Sequence, residues 1–155
     1  MPLSSFDAYR SASAAGYAEE NVASGRWPAD GAVARAIEEF DQSLPNGLAT
    51  PFNHVYEIRD EALGETVGVI WFAEIEKNGV KSAFVYDVEI SRQHRKSGHA
   101  SAAFRQLEPI VRALGLSSIG LHVFSQNVAA QALYRSLGYG VVSLNMLKHL
   151  GGSDA

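Results

Sequence analysis

The stretch HRKSGHAS, His94 to Ser101, gathers Arg95, Lys96, His94 and His99 around Gly98 with no acidic residue among them. The chain around it is acidic: 17 Asp and Glu against 13 Lys and Arg give a formal net charge of −4. The stretch follows a strand-like run ending at Ile90 and precedes an alanine-rich helical run. A loop in that position exposes the unpaired N–H groups of a helix start, and these attract anions, phosphates above all. Gly98 permits close approach of a ligand, and Ala100 and Ser101 keep the first turn small. Arg95 and Lys96 add charge suited to phosphate oxygens. A solvated basic loop in which Gly98 merely makes a turn fits the same residues. The stretch has no GK[ST] ending of a P-loop and lacks the repeated glycines of a dinucleotide fingerprint.

Upstream, VYDVEI places Asp87 and Glu89 on one face of a strand, opposite Val88 and Ile90. Carboxylates on a central strand are costly unless they are used or paired. Either could act as a base, with Glu89 preferred for its reach; an ion pair with a neighbour such as Arg92 is the alternative. His54, His94, His99 and His122 do not have metal-ligand spacing, and no metal is expected. The absence of cysteine excludes disulfides and a cysteine nucleophile.

The elements that must position these groups follow from periodicity. SSFD opens a first helix, with Ser4 as cap and Asp7 answering it, running to about Val22. Pro28 suits the first turn of a second helix whose Val33, Ile37, Phe40 and Leu44 share one face. HVYEIR and TVGVIWFAEI read as strands, Asn78-Gly79 as a hairpin turn, and SAFVYDVEI as the returning strand ending at Ile90. Ala103, Phe104, Leu107, Val111 and Leu114 mark a helix that Gly115 ends and that Pro109 is expected to kink. SIGLHVF is a further strand, about Val128 to Leu137 a short helix stopped by Gly138, and YGVVSLNMLKHL contains a last strand. Helices before, within and after a run of strands make this an α/β (α+β) chain, read as one domain over 1–155. With 46% hydrophobic and 19% charged residues it is globular, and its acidity argues against nucleic acid as a partner. No apolar run reaches the roughly 20 residues of a membrane span, and MPLSSFDAYR is not a leader, so a cytoplasmic protein without a membrane partner is expected.

RKSGHA resembles the R/Q-x-x-G-x-G/A loop of the GNAT superfamily of acetyl-CoA-dependent N-acetyltransferases, and NVAAQALYRSLGY resembles that family's second motif. GRW, LPNG, VGVIWFA, VYDVEI and LHVF extend the likeness, to a bacterial stand-alone subgroup, over nearly the whole chain. The resemblance implies a mixed, mostly antiparallel sheet flanked by helices, with the family's N-terminal strand shortened or missing. It implies that Arg95, Lys96, Ser97, Gly98, His99, Ala100 and Ser101 hold the coenzyme pyrophosphate. The main chain of Val88 and Ile90 would pair with the pantetheine arm, and Asn127 and Ala130 would add contacts at the fourth helix. Tyr134 matches the tyrosine beside the thioester sulfur; a phenol, with a pKa of about 10, can protonate a departing thiolate. Tyr134 packed as helix core beside Leu133 and Leu137, and Asn127 as a plain N-cap, are the alternatives from the residues alone. Glu89 or Asp87 would be the base. Lys96 stands where many members have a second glycine.

The activity implied is acetyl transfer from acetyl-CoA to a primary amine, by direct attack in a ternary complex because no cysteine can carry the acetyl group. The acceptor would be a small molecule or a peptide amine, and the last strand offers an edge for a homodimer. A non-catalytic acyl-CoA-binding sensor or regulatory domain is the alternative. It shares the loop and differs at the reacting centre.

Overall fold

The structure, a computed structural model, describes residues 1–151. Its sheet has the order β1 (Asn53–Asp60), β2 (Glu65–Lys77), β3 (Val80–Ile90) and β4 (Ile119–Leu121). The first three strands are antiparallel, and β4 joins β3 in parallel. The turn between β2 and β3 is made by Asn78 and Gly79, with φ of 53° and 79°. Both lie in the left-handed region that a two-residue hairpin requires, which is why Asn-Gly stands there.

The ladder between β2 and β3 contains one irregularity. Phe72 pairs with Val85 and Trp71 with Asp87, so Tyr86 is an extra residue on β3. A bulge of this kind bends the strand and shifts its alternation by one. Ala83, Val85, Val88 and Ile90 therefore share a face with Phe72 and Ile70, while Asp87 and Glu89 share the other with Trp71 and Val69.

Each face is covered by helices. On the first, α3 (His99–Ala113) buries Phe104, Leu107 and Val111 against Ile70, Phe72 and Val85, and Tyr134 of α4 (Val128–Ser136) joins them. On the second, α1 (Leu3–Ala23) and α2 (Ala32–Ser43) bring Tyr9, Phe40 and Leu44 onto Trp71. The two helices meet through Ala14, Ala18, Ala32 and Ala36, small side chains that let their backbones approach closely.

Several expectations are corrected. The cap pairing of Ser4 with Asp7 does not form: α1 starts at Leu3 with Pro2 as its N-cap, so Ser4 already lies inside the helix. Proline's fixed φ and missing N–H suit that boundary. Pro28 precedes α2 instead of opening it, because Gly31 takes a left-handed φ of 72° and the helix begins after it. Pro109, expected to kink α3, lies inside it at an exposed position where the stranded Arg105 carbonyl can meet water, and the helix runs on to Ala113. The strand expected from SIGLHVF pairs only over Ile119–Leu121. Residues 139–150 form no strand. Beyond Tyr139, which packs on the core, their apolar side chains are exposed, Val142 at 98% and Met146 at 92%, because no sheet edge pairs with the segment and alternation alone makes no ladder.

Gly68 lies opposite Ile90, and a methyl group there would collide with the Glu89 carbonyl oxygen. Gly68→Ala must push β2 from β3, and we expect a loss of about 1–3 kcal/mol in urea unfolding, as for other overpacked sites. An unchanged midpoint would show that the two strands are not held this closely.

Candidate active site

β3 and β4 pair only where Ala83–Val85 meets Ile119–Leu121. Before the bulge, the Ala83 N–H donates toward β4, to the Ser118 carbonyl at 2.9 Å. After it the parity is reversed, and the Ser91 N–H donates toward β2, to Val67 at 2.8 Å. Val88 and Ile90 consequently point their main-chain groups to the side that β4 has left, a free length of strand edge. Beside it opens a cleft of about 450 Å³, walled by α1, α2, the bulged part of β3, the chain after β4, and α4. Its lining includes Ser13, Glu20, Asp87, Glu89, Asn127 and Tyr134.

The two carboxylates of β3 differ in their surroundings. Asp87 Oδ2 accepts from Tyr9 Oη at 2.8 Å and from Ser13 Oγ at 3.1 Å. Burial raises its pKa, and the two hydroxyl donors, followed by the Val88 main-chain N–H, oppose that rise. Glu89 is half exposed and pairs with Arg95 at 3.3 Å, so Arg95, not Arg92, is its ionic neighbour. Burial and the charge of Asp87 raise the Glu89 pKa, and Arg95 lowers it.

In α4, Tyr134 is held edge-on against Phe104 at 5.4 Å and Tyr139 at 5.9 Å. Its ring packs against the core cluster and it also lines the cleft. Burial, followed by the negative charge of Asp87 and Glu20, pushes its pKa up to about 12. Asn127 caps α4, its side chain accepting from the Ala130 N–H at 3.2 Å, while lining the cleft as well. That bond engages the Ala130 N–H, so Ala130 has no main-chain donor to spare for a ligand. His122 lines the cleft, and burial with the nearby Arg26 charge lowers its pKa, which keeps the ring neutral.

The loop from Ser91 to Gly98 is shaped by two left-handed residues, Lys96 with φ 61° and Gly98 with φ 82°. Lys96 thus occupies a conformation that glycine adopts without strain, the physical sense of a glycine at that position in similar loops. Gly98 is the N-cap of α3, no side chain caps the helix, and the first internal bond runs from Ala102 N–H to the Gly98 carbonyl. The N–H groups of His99, Ala100 and Ser101 are accordingly left over at the helix start. The loop's longer side chains are committed elsewhere. Arg95 Nε donates to the Ile90 carbonyl at 2.9 Å, which uses one acceptor of the free β3 edge. Ser97 Oγ lies 3.5 Å from the Arg95 carbonyl. The His99 ring turns from the loop, Nδ1 to the His94 carbonyl at 3.0 Å and Nε2 to Asp60 at 2.9 Å. In this structure the Arg95 and His99 side chains brace the loop.

Sequence reading missed Tyr9, Ser13, Glu20 and Glu39. The first three are spaced by four and seven residues along α1, so they share one helical face, but nothing local says what that face meets. Among the described residues the cleft is lined by Glu20, Glu39, Asp87 and Glu89 against Arg26. Glu20 feels this excess: burial, then repulsion from Asp87 and Glu89, raises its pKa.

The model of the acetyltransferase (GNAT) family matches residues 19–139. The chain is 30% identical to the uncharacterized N-acetyltransferase YycN of Bacillus subtilis, covering 97% of this chain and 96% of that protein. It is 29% identical to YdgE of the same organism, covering 97% and 95%. The crystal structure of YycN superposes with a TM-score of 0.91 over 97% of this chain and 95% of that one. An acetyltransferase structure from Pyrococcus furiosus gives 0.69 at 25% identity, covering 90% and 92%.

The His99–Asp60 contact sets a pH dependence for the loop. Asp60 and the His94 carbonyl raise the His99 pKa, and His99 lowers that of Asp60. The pair's contribution is thus present above the ordinary aspartate value of about 3.9 and below the ordinary histidine value of about 6.5. It fades as pH rises through the raised His99 pKa, and also as pH falls through the lowered Asp60 pKa. The difference in Tm between wild type and Asp60→Asn is expected to narrow on going from pH 6 to pH 9. A constant difference would rule out the ionic part of the contact.

Proposed function

This chain belongs to the acetyltransferase (GNAT) family, and from that premise we propose that it moves an acetyl group from acetyl-CoA to a cationic primary amine by direct attack in a ternary complex. The observation that supports this most is a single cleft lined by both Asp87 and Tyr134 beside the free edge of β3. That constellation provides a base, an acid and an open strand edge where acyl transfer to an amine needs them.

The residues present fit acetyl-CoA. The N–H groups of His99, Ala100 and Ser101 at the start of α3, with the Lys96 ammonium, would receive its pyrophosphate. Val88 and the free N–H of Ile90 would take its extended arm as an added strand. When bound, the coenzyme supplies an acetyl thioester and a thiolate leaving group.

Asp87 is the better base. Glu89 is half exposed and already paired with Arg95, whereas Asp87 lies deeper and has no cationic partner. Asp87 takes a proton from the incoming ammonium, directly or through water, and the neutral amine then attacks the carbonyl. A main-chain N–H of the free β3 edge is the donor available to polarise that carbonyl. Tyr134 gives its proton to the departing sulfur as the C–S bond breaks, and the proton lost by the newly bonded, cationic nitrogen returns to the Tyr134 phenolate, directly or through water; burial keeps Tyr134 in the phenol form that the first transfer requires. With no cysteine in the chain, no acetyl-cysteine intermediate can form. The acidic lining formed by Glu20, Glu39, Asp87 and Glu89 favours a positively charged acceptor over an anionic one.

Two measurements bear on this. Acetyl-CoA raises Tm, while ATP at equal concentration leaves it unmoved; equal shifts would sink the coenzyme assignment. In a screen of primary amines for acetyl-CoA-dependent thiol release, diamines outperform amino acids that carry a free carboxylate. With the best amine, Tyr134→Phe and Asp87→Asn each lower kcat on the order of 10²–10⁴-fold, the range for acid–base groups, with acetyl-CoA affinity retained. Unchanged turnover in either variant removes that residue from the mechanism.

A further inference from the structure

The first helix touches the chemistry through two hydroxyls that no motif marks. Tyr9 and Ser13 are one turn apart on α1, so their side chains project to the same side. Both donate to the same atom, Asp87 Oδ2, at 2.8 and 3.1 Å. Neither engages Oδ1. The Tyr9 ring is fixed: it is only 8% exposed, lies edge-on to Phe40 at 5.9 Å, and Phe40 lies edge-on to Trp71 at 5.3 Å. Trp71 is the residue paired with Asp87 across the ladder. The hydroxyl and the carboxylate are therefore referred to one rigid frame. Ser13 differs in that it also lines the cleft.

We propose that Tyr9 and Ser13 are positioning residues for Asp87: they occupy Oδ2, hold the buried carboxylate ionised, and leave Oδ1 for the incoming ammonium. This rests on the reading of Asp87 as the base. The physical need is clear from the surroundings. Glu89 on the same strand, Glu20 on α1 and Glu39 on α2 add negative charge around the cleft, and Tyr134 of α4 is neutral. His122 is neutral as well, Arg26 lies at the cleft, and Arg95 is spent on Glu89. Burial favours a protonated Asp87 that could not accept a proton. Two hydroxyl donors oppose this without adding a cation that would repel the substrate. The Tyr9 hydroxyl can do so at every working pH, because burial and the adjacent carboxylate drive its own pKa far above the ordinary phenol value.

The test is a titration of the Asp87 side-chain carboxyl by carbon-13 NMR in the full chain, which requires no acceptor. Tyr9→Phe keeps the packed ring and removes one donor; Ser13→Ala removes the other with minimal loss of volume. Each is expected to raise the Asp87 midpoint by roughly half to one pH unit, and Ser13→Thr, which keeps a hydroxyl, restores it. The groups around Asp87 are unchanged in these variants, so the shift isolates the hydroxyls. In thiol-release assays with the best amine, the acidic limb of kcat/KM moves up in pH by the same amount, while the KM for acetyl-CoA stays constant. A merely structural role would lower Tm and leave both midpoints in place. An unshifted Asp87 midpoint in both Tyr9→Phe and Ser13→Ala overturns the clamp and leaves the base reading intact. Full turnover in Asp87→Asn overturns the base reading, and with it any catalytic purpose of the clamp.

Discussion

Between Val85 and Asp87 the ladder to β2 skips Tyr86, and the side chains and main-chain groups of β3 exchange their directions at that point. In an unbulged strand, Asp87 would share the face of Val85 and sit against α3 and its apolar cluster. With the extra residue it faces α1, where Tyr9 and Ser13 meet it. The same shift turns the main chain of Val88 and Ile90 away from β2 and toward the opening left by β4. Carboxylate, strand edge and cleft are thus consequences of one inserted residue. Tyr86 itself stacks on Trp71 at 4.9 Å, which fills the space beside the bend.

Electrostatically the site is divided. The cleft is negative, and the helix start beyond Ile90 is the place where N–H groups and Lys96 gather positive potential. The basic side chains of the loop do not simply wait there for an anion. Arg95 ties the Ile90 carbonyl and Glu89 together, and His99 joins the loop to the end of β1 through Asp60. Such bracing fixes a loop containing the left-handed Lys96, a conformation that costs free energy unless its neighbours enforce it. The donors at the start of α3 are then held in place before any ligand arrives, which reduces the ordering required on binding.

Much of this frame was legible in the residues. Asn78-Gly79 announced the hairpin, the β-branched runs announced β2 and β3, and Gly98, Asn127 and Tyr134 fell at the loop, cap and helix expected of them. The misreadings share one cause. Ser4 with Asp7 and Pro28 were judged on local preference, and in each case a neighbouring residue offered the better boundary. The expected last strand failed because a strand is a pairing, and residues 139–150 have no edge to pair with. The ionic neighbour suggested for Glu89 was Arg92, yet the fold brings Arg95 to it instead.

The order of helices and strands, the hairpin, the phosphate-suited loop and the absence of any cysteine chemistry were fixed by the residues alone, because each depends on backbone preferences or side-chain chemistry within a few positions. The different surroundings of Asp87 and Glu89, the contacts of Arg95 and His99 within the loop, and the acidic lining contributed by Glu20 and Glu39 were decided only by tertiary structure. These depend on which surfaces meet across the sheet and on how far each carboxylate is removed from water. Tyr9 and Asp87 lie 78 positions apart in sequence and 2.8 Å apart in the fold, a distance no local pattern encodes.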